Sequence, residues 1–89
     1  MMKTLIIVPC YNEQETIAAL YREIREKTPY DVIVVNDCST DESRNILRRE
    51  NIPHLDLPLN LGIGGAVQAG YRYGLINGYD VAVQVDGDG

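Results

Sequence analysis

Four short apolar runs, each closed by a polar cluster, alternate along this chain with segments whose apolar residues recur every three or four positions. TLIIV (4–8) is a continuous, largely β-branched run, the signature of a strand covered on both faces. DVIVV (31–35) is a second such strand, HLDL (54–57) a weaker third and DVAVQV (80–85) a fourth. Between the first two, Ile17, Leu20, Tyr21 and Ile24 fall at i, i+3, i+4 and i+7, which predicts a helix with one apolar stripe. Asn12 with Glu15 reads as its capping box, and Thr28-Pro29 ends it. Ser39 with Glu42 repeats that pattern and opens a second helix carrying Ile46 and Leu47, broken by Pro53. A third helix is expected from about Gly64 to Asn77, stopped by Gly78. Its Ala66, Gly70 and Gly74 lie four apart, so that helix can sit close to the sheet.

The resulting order, β-α-β-α-β-α-β with short connections, predicts an α/β fold with a mostly parallel four-stranded sheet and helices on both faces. Ligands of such sheets bind beyond the carboxyl ends of the strands. Every polar cluster here follows a strand: PCYNE (9–13), NDCSTD (36–41), LNLGIGG (59–65) and DGDG (86–89). Four clusters on one sheet edge make one site.

Composition narrows the class of ligand. A formal charge of −5 argues against a nucleic-acid module, whose phosphate contacts need a basic face. The chain has six Tyr and neither Phe nor Trp, so Val, Ile and Leu must supply the packing. Cys10 and Cys38 form neither a disulfide framework nor a C-x-x-C pair, which fits a reduced, cytoplasmic setting. The apolar stretch at the N-terminus is cut by Pro9 and is too short for a signal peptide or a membrane span.

The clusters carry distinct chemistry. Asp86 and Asp88 flank Gly87, so in extended backbone both carboxylates project to one side, a hard-oxygen pair suited to Mg²⁺ or Mn²⁺. A plain polar turn is the alternative. Asp37 ends the second strand ahead of the helix start, free to accept a hydrogen bond from a ligand such as the N–H of a nucleobase. Ser39 and Asp41 are assigned to capping and Cys38 to packing. Tyr11 can stack on or frame a base, and Asn12 is expected to cap the helix. Glu13 stands between two roles, a favourable charge in the first helical turn and a ligand contact. The glycine-rich stretch fails as a phosphate loop, because Val67 occupies the last position of G-x-G-x-x-G and the loop follows the third strand. His54 is expected to be structural.

VPCYNE (8–13), VVNDCSTDES (34–43), NLGIGGAVQAGYRYG (60–74) and VDGDG (85–89) together resemble the nucleotide-sugar-binding half of a family 2 glycosyltransferase. The third motif looks most like the branch that loads sugars onto polyprenyl phosphates, similar to dolichyl-phosphate mannose synthases. The resemblance implies a Rossmann-like GT-A fold, here a three-layer αβα half-domain over residues 1–89 that stops after the D-x-D. It also implies that Pro9, Tyr11, Glu13, Val35, Asp37, Asp86 and Gly87 bind the nucleotide sugar, with Val35 and Asp37 on the base. Asp86 would contact the ribose or the metal side of the diphosphate, and Asp88 would ligate Mg²⁺ or Mn²⁺.

The implied donor is a UDP- or GDP-sugar, and the implied acceptor a polyprenyl phosphate or a glycan. The general base is expected beyond residue 89, so no catalytic residue is assigned here. The whole enzyme would work in the cytoplasm or at the cytoplasmic membrane face, and an open fourth strand would favour self-association. Two positions depart from the family pattern: Asn36 where Asp is common, and Ile63 where Lys is common. A phosphoryl-transfer enzyme using D-x-D, or a non-catalytic nucleotide-binding module on the same scaffold, are the competing readings.

Overall fold

A computed structural model describes residues 2–86. Its elements are β1 (Thr4–Cys10), α1 (Ile17–Lys27), β2 (Asp31–Asn36), α2 (Ser43–Arg49), β3 (His54–Asp56), α3 (Gly62–Ile76) and β4 (Val81–Gln84). The strands form one sheet in the order β3-β2-β1-β4, and every neighbouring pair is parallel. This is the expected α/β class, wholly parallel among the described residues.

Alternation along the two central strands explains why their sequences are continuously apolar. Ile6, Val8 and Cys10 of β1 join Val32 and Val34 of β2 against Ile17 and Ile24 of α1 and Leu47 of α2. On the opposite face Leu5, Ile7, Ile33 and Val35 pack with Ala66, Ala69 and Tyr73 of α3. The result is three layers, with α1 and α2 on one side of the sheet and α3 on the other. Burying each of these aliphatic side chains contributes about 2 kcal/mol, so β1 and β2 anchor the fold.

The small-residue stripe of α3 is used as expected. A Cβ added at Gly70 would lie 2.5 Å from Cγ2 of Ile7, and one at Gly74 3.2 Å from Cδ2 of Leu5. At Gly70 a side chain fits only if Ile7 or the helix shifts, whereas at Gly74 the tip of Leu5 need give by only a few tenths of an ångström.

Both helix starts differ from the expectation. Helix α1 begins at Ile17 rather than near Asn12, because Asn12 takes a left-handed φ of 52° that interrupts any helix there. Helix α2 begins at Ser43, after a loop in which Cys38 is also left-handed, with φ of 60°. The Ser39 hydroxyl is engaged with Asn36 and with the Asn12 N–H, so it caps nothing. Glu42 holds the N-cap position without a side-chain capping bond, and Asp41, one residue ahead, accepts the Ser43 N–H with Oδ1 at 2.9 Å.

Strand β4 lies at one edge of the described sheet and β3 at the other, so the fourth strand is paired on one side only. Val83 is correspondingly 42% exposed. Among the described residues, no helix is long and apolar enough to cross a membrane.

Candidate functional site

The strand order reverses about β1: β2 and β3 follow it to one side, while β4 returns on the other. Loops leaving β1, β2 and β4 therefore part at the carboxyl edge of the sheet, the place where open α/β sheets bind ligands. A pocket of about 140 Å³ opens there, lined by Pro9, Tyr11, Glu13, Asp37, Ile63, Ala66 and Asp86. Whole small-molecule sites run to roughly 300–1,000 Å³, so this one holds one part of a larger ligand.

Five residues singled out in the sequence meet in this pocket: Pro9, Tyr11, Glu13, Asp37 and Asp86. They come from the ends of three strands up to 77 positions apart in the chain, as Pro9 and Asp86 show. Val35 is not among the lining residues. It is fully buried between β1 and β3, paired with Pro9 and Leu55, and its side chain packs with Leu5, Ile7 and Ala66 in the core. The base contact implied for Val35 is thus not offered by its side chain. Gly87 and Asp88 lie outside the described residues.

Asp37 is 3% exposed, and with Asn36 and Ser43 it makes the three buried polar residues among those described, spread from the end of β2 to the first residue of α2. Its Oδ1 accepts the Leu61 N–H at 2.7 Å, and its own N–H donates to the Cys10 carbonyl at 2.8 Å. One oxygen of the carboxylate is therefore committed to holding the start of α3. Oδ2 has no hydrogen-bond partner among the described residues. Asp37 is also one of the residues that line the pocket.

Glu13 lies ahead of α1 rather than in its first turn. Its carbonyl accepts the N–H groups of Thr16 and Ile17, its N–H donates to the Ser43 hydroxyl, and Oε2 accepts from the Thr16 hydroxyl. The helix-charge explanation for Glu13 is weakened and the pocket contact stands. Tyr11 is 45% exposed, leaving an aromatic ring in the pocket wall. Asp86 is exposed, with Oδ1 accepting from the Gln84 amide.

The departure at Asn36 has a structural cause. Its Nδ2 donates to Asp56 Oδ1 at 2.9 Å, and its Oδ1 accepts from the Ser39 hydroxyl and N–H. A carboxylate at position 36, which is buried, would face that of the exposed Asp56. Asp56 is in turn flanked by His54, Arg44 and Arg48, with Nε2 of His54 3.3 Å away. His54 is structural, as expected, with Nδ1 also within 2.8 Å of the Ile52 carbonyl.

Ile63 and Ala66 line the pocket without having been singled out as site residues. Ile63 is 62% exposed and falls off the buried stripe of α3. An exposed branched residue beside a positive-φ glycine, Gly62, was the available signal. Among the described residues, the lining thus combines three carboxylates with an apolar wall and includes no Lys, Arg or His. Among the described residues, no three His, Cys, Asp or Glu side chains converge as a metal site. Cys10 is no nucleophile, since burial pushes its thiol up to about 11.

Comparison with known proteins agrees with this geometry. A family model described as Glycosyl transferase family 2 matches residues 5–75. An undecaprenyl-phosphate mannosyltransferase of Micrococcus luteus is 37% identical over 94 residues, spanning 99% of this chain and 39% of that protein. A polyprenol monophosphomannose synthase of Mycolicibacterium smegmatis is 30% identical, spanning 98% of this chain and 36% of that protein. The crystal structure of Staphylococcus aureus TarS superposes with a TM-score of 0.75 at 28% identity, over 98% of this chain and 17% of that one. The chain spans less than two fifths of the length of each of these relatives. Its three-layer architecture is that of the GT-A glycosyltransferases, and the chain belongs to glycosyl transferase family 2.

Proposed function

We propose that this chain binds the nucleotide end of a UDP- or GDP-sugar and, within a whole enzyme, serves an inverting transfer of the sugar to a polyprenyl phosphate. One observation carries the reading. Residues far apart in sequence, at 9, 11, 13, 37, 63, 66 and 86, wall one pocket at the carboxyl edge of a parallel sheet.

Each side chain has a part. Tyr11 presents a ring on which a base can stack, and Pro9, Ile63 and Ala66 supply the apolar remainder of a slot for a base. Oδ2 of Asp37 accepts an N–H from that base. The names of the Micrococcus and Mycolicibacterium relatives support a polyprenyl-phosphate acceptor, and such a lipid would place the whole enzyme at a membrane surface. Inversion is what membership of the family implies.

A diphosphate brought to three carboxylates is repelled unless a cation accompanies it. The donor set fits a hard divalent ion: exposed Asp86 at the pocket, with Asp88 two positions on. Mg²⁺ or Mn²⁺ held there would neutralise the charge that builds on the departing nucleoside diphosphate.

Calorimetric titration with UDP and with GDP, each with and without Mg²⁺, tests the reading. Saturable binding of one nucleotide, tightened by Mg²⁺, supports it. A folded chain that takes up neither contradicts it.

A further inference from the structure

We propose that Asn12 is a positioning residue, a latch that joins the two loops carrying the pocket's polar side chains. The role rests on the nucleotide-pocket reading above. Asn12 does not line the pocket, but both of its neighbours, Tyr11 and Glu13, do. Its Oδ1 accepts the Thr40 N–H at 2.8 Å and the Asp41 N–H at 3.3 Å. Its Nδ2 donates to the Thr40 hydroxyl at 3.2 Å, and its own N–H donates to the Ser39 hydroxyl at 3.0 Å. All of these partners lie two to four residues after Asp37. One side chain thereby sets the spacing between the loop of Tyr11 and Glu13 and the loop of Asp37.

An ordinary helix cap would leave a different trace. A capping Asn bonds N–H groups two or three positions ahead of itself, at Gln14 or Glu15. Here the Gln14 N–H goes to Asp41 Oδ2, and α1 starts five residues after Asn12. The residue type is also constrained. At φ of 52° the backbone admits Gly, Asn or Asp with least strain. Gly makes no side-chain bond, and Asp lacks the amide donor and would set a second carboxylate beside Asp41. Only Asn meets the backbone and all three side-chain partners.

Asn12→Gly separates the latch from the fold, since glycine keeps the left-handed turn and deletes the side-chain bonds. The comparison is with Ile24→Val, which trims the core under α1 on the far side of the sheet from α3. Two readouts are taken on the whole chain: amide hydrogen exchange at Thr40 and Asp41, and the affinity for UDP and GDP with Mg²⁺. In Asn12→Gly the two amides should exchange about tenfold faster, and nucleotide affinity should fall about tenfold because the pocket is no longer preorganised. Ile24→Val should lower the melting temperature and leave both readouts at the wild-type value. Asn12→Asp, which retains an acceptor oxygen, should restore part of the amide protection. Wild-type protection and affinity in Asn12→Gly overturn the latch, and so does an equal affinity loss in Ile24→Val. A wild-type chain that binds neither nucleotide overturns the pocket reading instead, and the exchange rates at Thr40 and Asp41 then decide the latch alone.

Discussion

The Asp37 carboxylate accepts the backbone N–H of Leu61 at 2.7 Å, tying the end of β2 to the residue that precedes α3. One oxygen therefore builds the pocket that Asp37 also lines, and the proposed contact to the base falls to the other. Two substitutions separate these tasks. Asp37→Asn retains an acceptor for Leu61 and should fold with near-native stability, but it should weaken nucleotide binding by presenting a donor where the base offers its own N–H. Asp37→Ala strands the Leu61 N–H and should cost about 1–3 kcal/mol in urea unfolding as well as the binding.

Ile63 determines how the pocket treats charge. Among the described residues the lining has three carboxylates and no cationic side chain, so diphosphate affinity should depend almost wholly on the added divalent ion. Ile63→Lys places an ammonium at that wall, on an exposed first-turn position where it disturbs no core contact. Affinity for UDP or GDP without Mg²⁺ should rise about tenfold, which corresponds to ~1.4 kcal/mol. Affinity for the uncharged nucleoside should stay level or fall. Parallel titrations of nucleoside and diphosphate would check this.

Acid sensitivity should centre on Asp41. Burial raises its pKa, but hydrogen bonds from the Ser43 hydroxyl and from the N–H groups of Ser43 and Gln14 outweigh that and hold it below the usual carboxylate range. A carboxylate whose folded pKa is depressed stabilises the fold above its unfolded pKa, about 3.9, and that contribution is lost as pH falls through the folded value. Asp41→Asn, which puts a donor where Oδ2 accepts the Gln14 N–H, should therefore be less stable than wild type by about 1 kcal/mol at pH 7. The gap should close as the pH drops below about 4. Urea midpoints at pH 7 and pH 3 would show it.

The close approach of α3 to β1 can be read by overpacking. Gly70→Ala would bring a methyl to 2.5 Å from Cγ2 of Ile7, in a part of the core with no slack. A loss of about 1–3 kcal/mol is expected. Substituting Gly64 in the same helix, where an added Cβ meets nothing within 4 Å, should be neutral or mildly stabilising.

Much of this was legible in the sequence, for identifiable reasons. The unbroken apolar runs of β1 and β2 signal burial on both faces, and Ala66, Gly70 and Gly74 signal close packing at helical spacing. The pocket's polar members were legible because strand-end clusters in a parallel sheet share one edge. The helix starts were not. Asn12 and Ser39 carry the local capping pattern, yet their hydrogen bonds run between loops some 27 residues apart, as from the Asn12 N–H to Ser39. Pairing of that kind leaves no trace at short range. Val35 and Ile63 illustrate the same limit from opposite sides: a β-branched residue in a strand is core, and a branched residue beside a glycine turn is wall. Spacing alone did not distinguish them.

The most direct test of the central claim is a two-dimensional NMR titration of the labelled chain with GDP and with UDP in the presence of Mg²⁺. One nucleotide should shift the amides of Tyr11, Glu13, Asp37, Ile63 and Asp86 together, leaving those at the opposite sheet edge near Lys3 and Asp31 unmoved. A folded chain whose shifts are absent for both nucleotides, or fall away from the carboxyl edge of the sheet, would contradict the assignment of this pocket to a nucleotide.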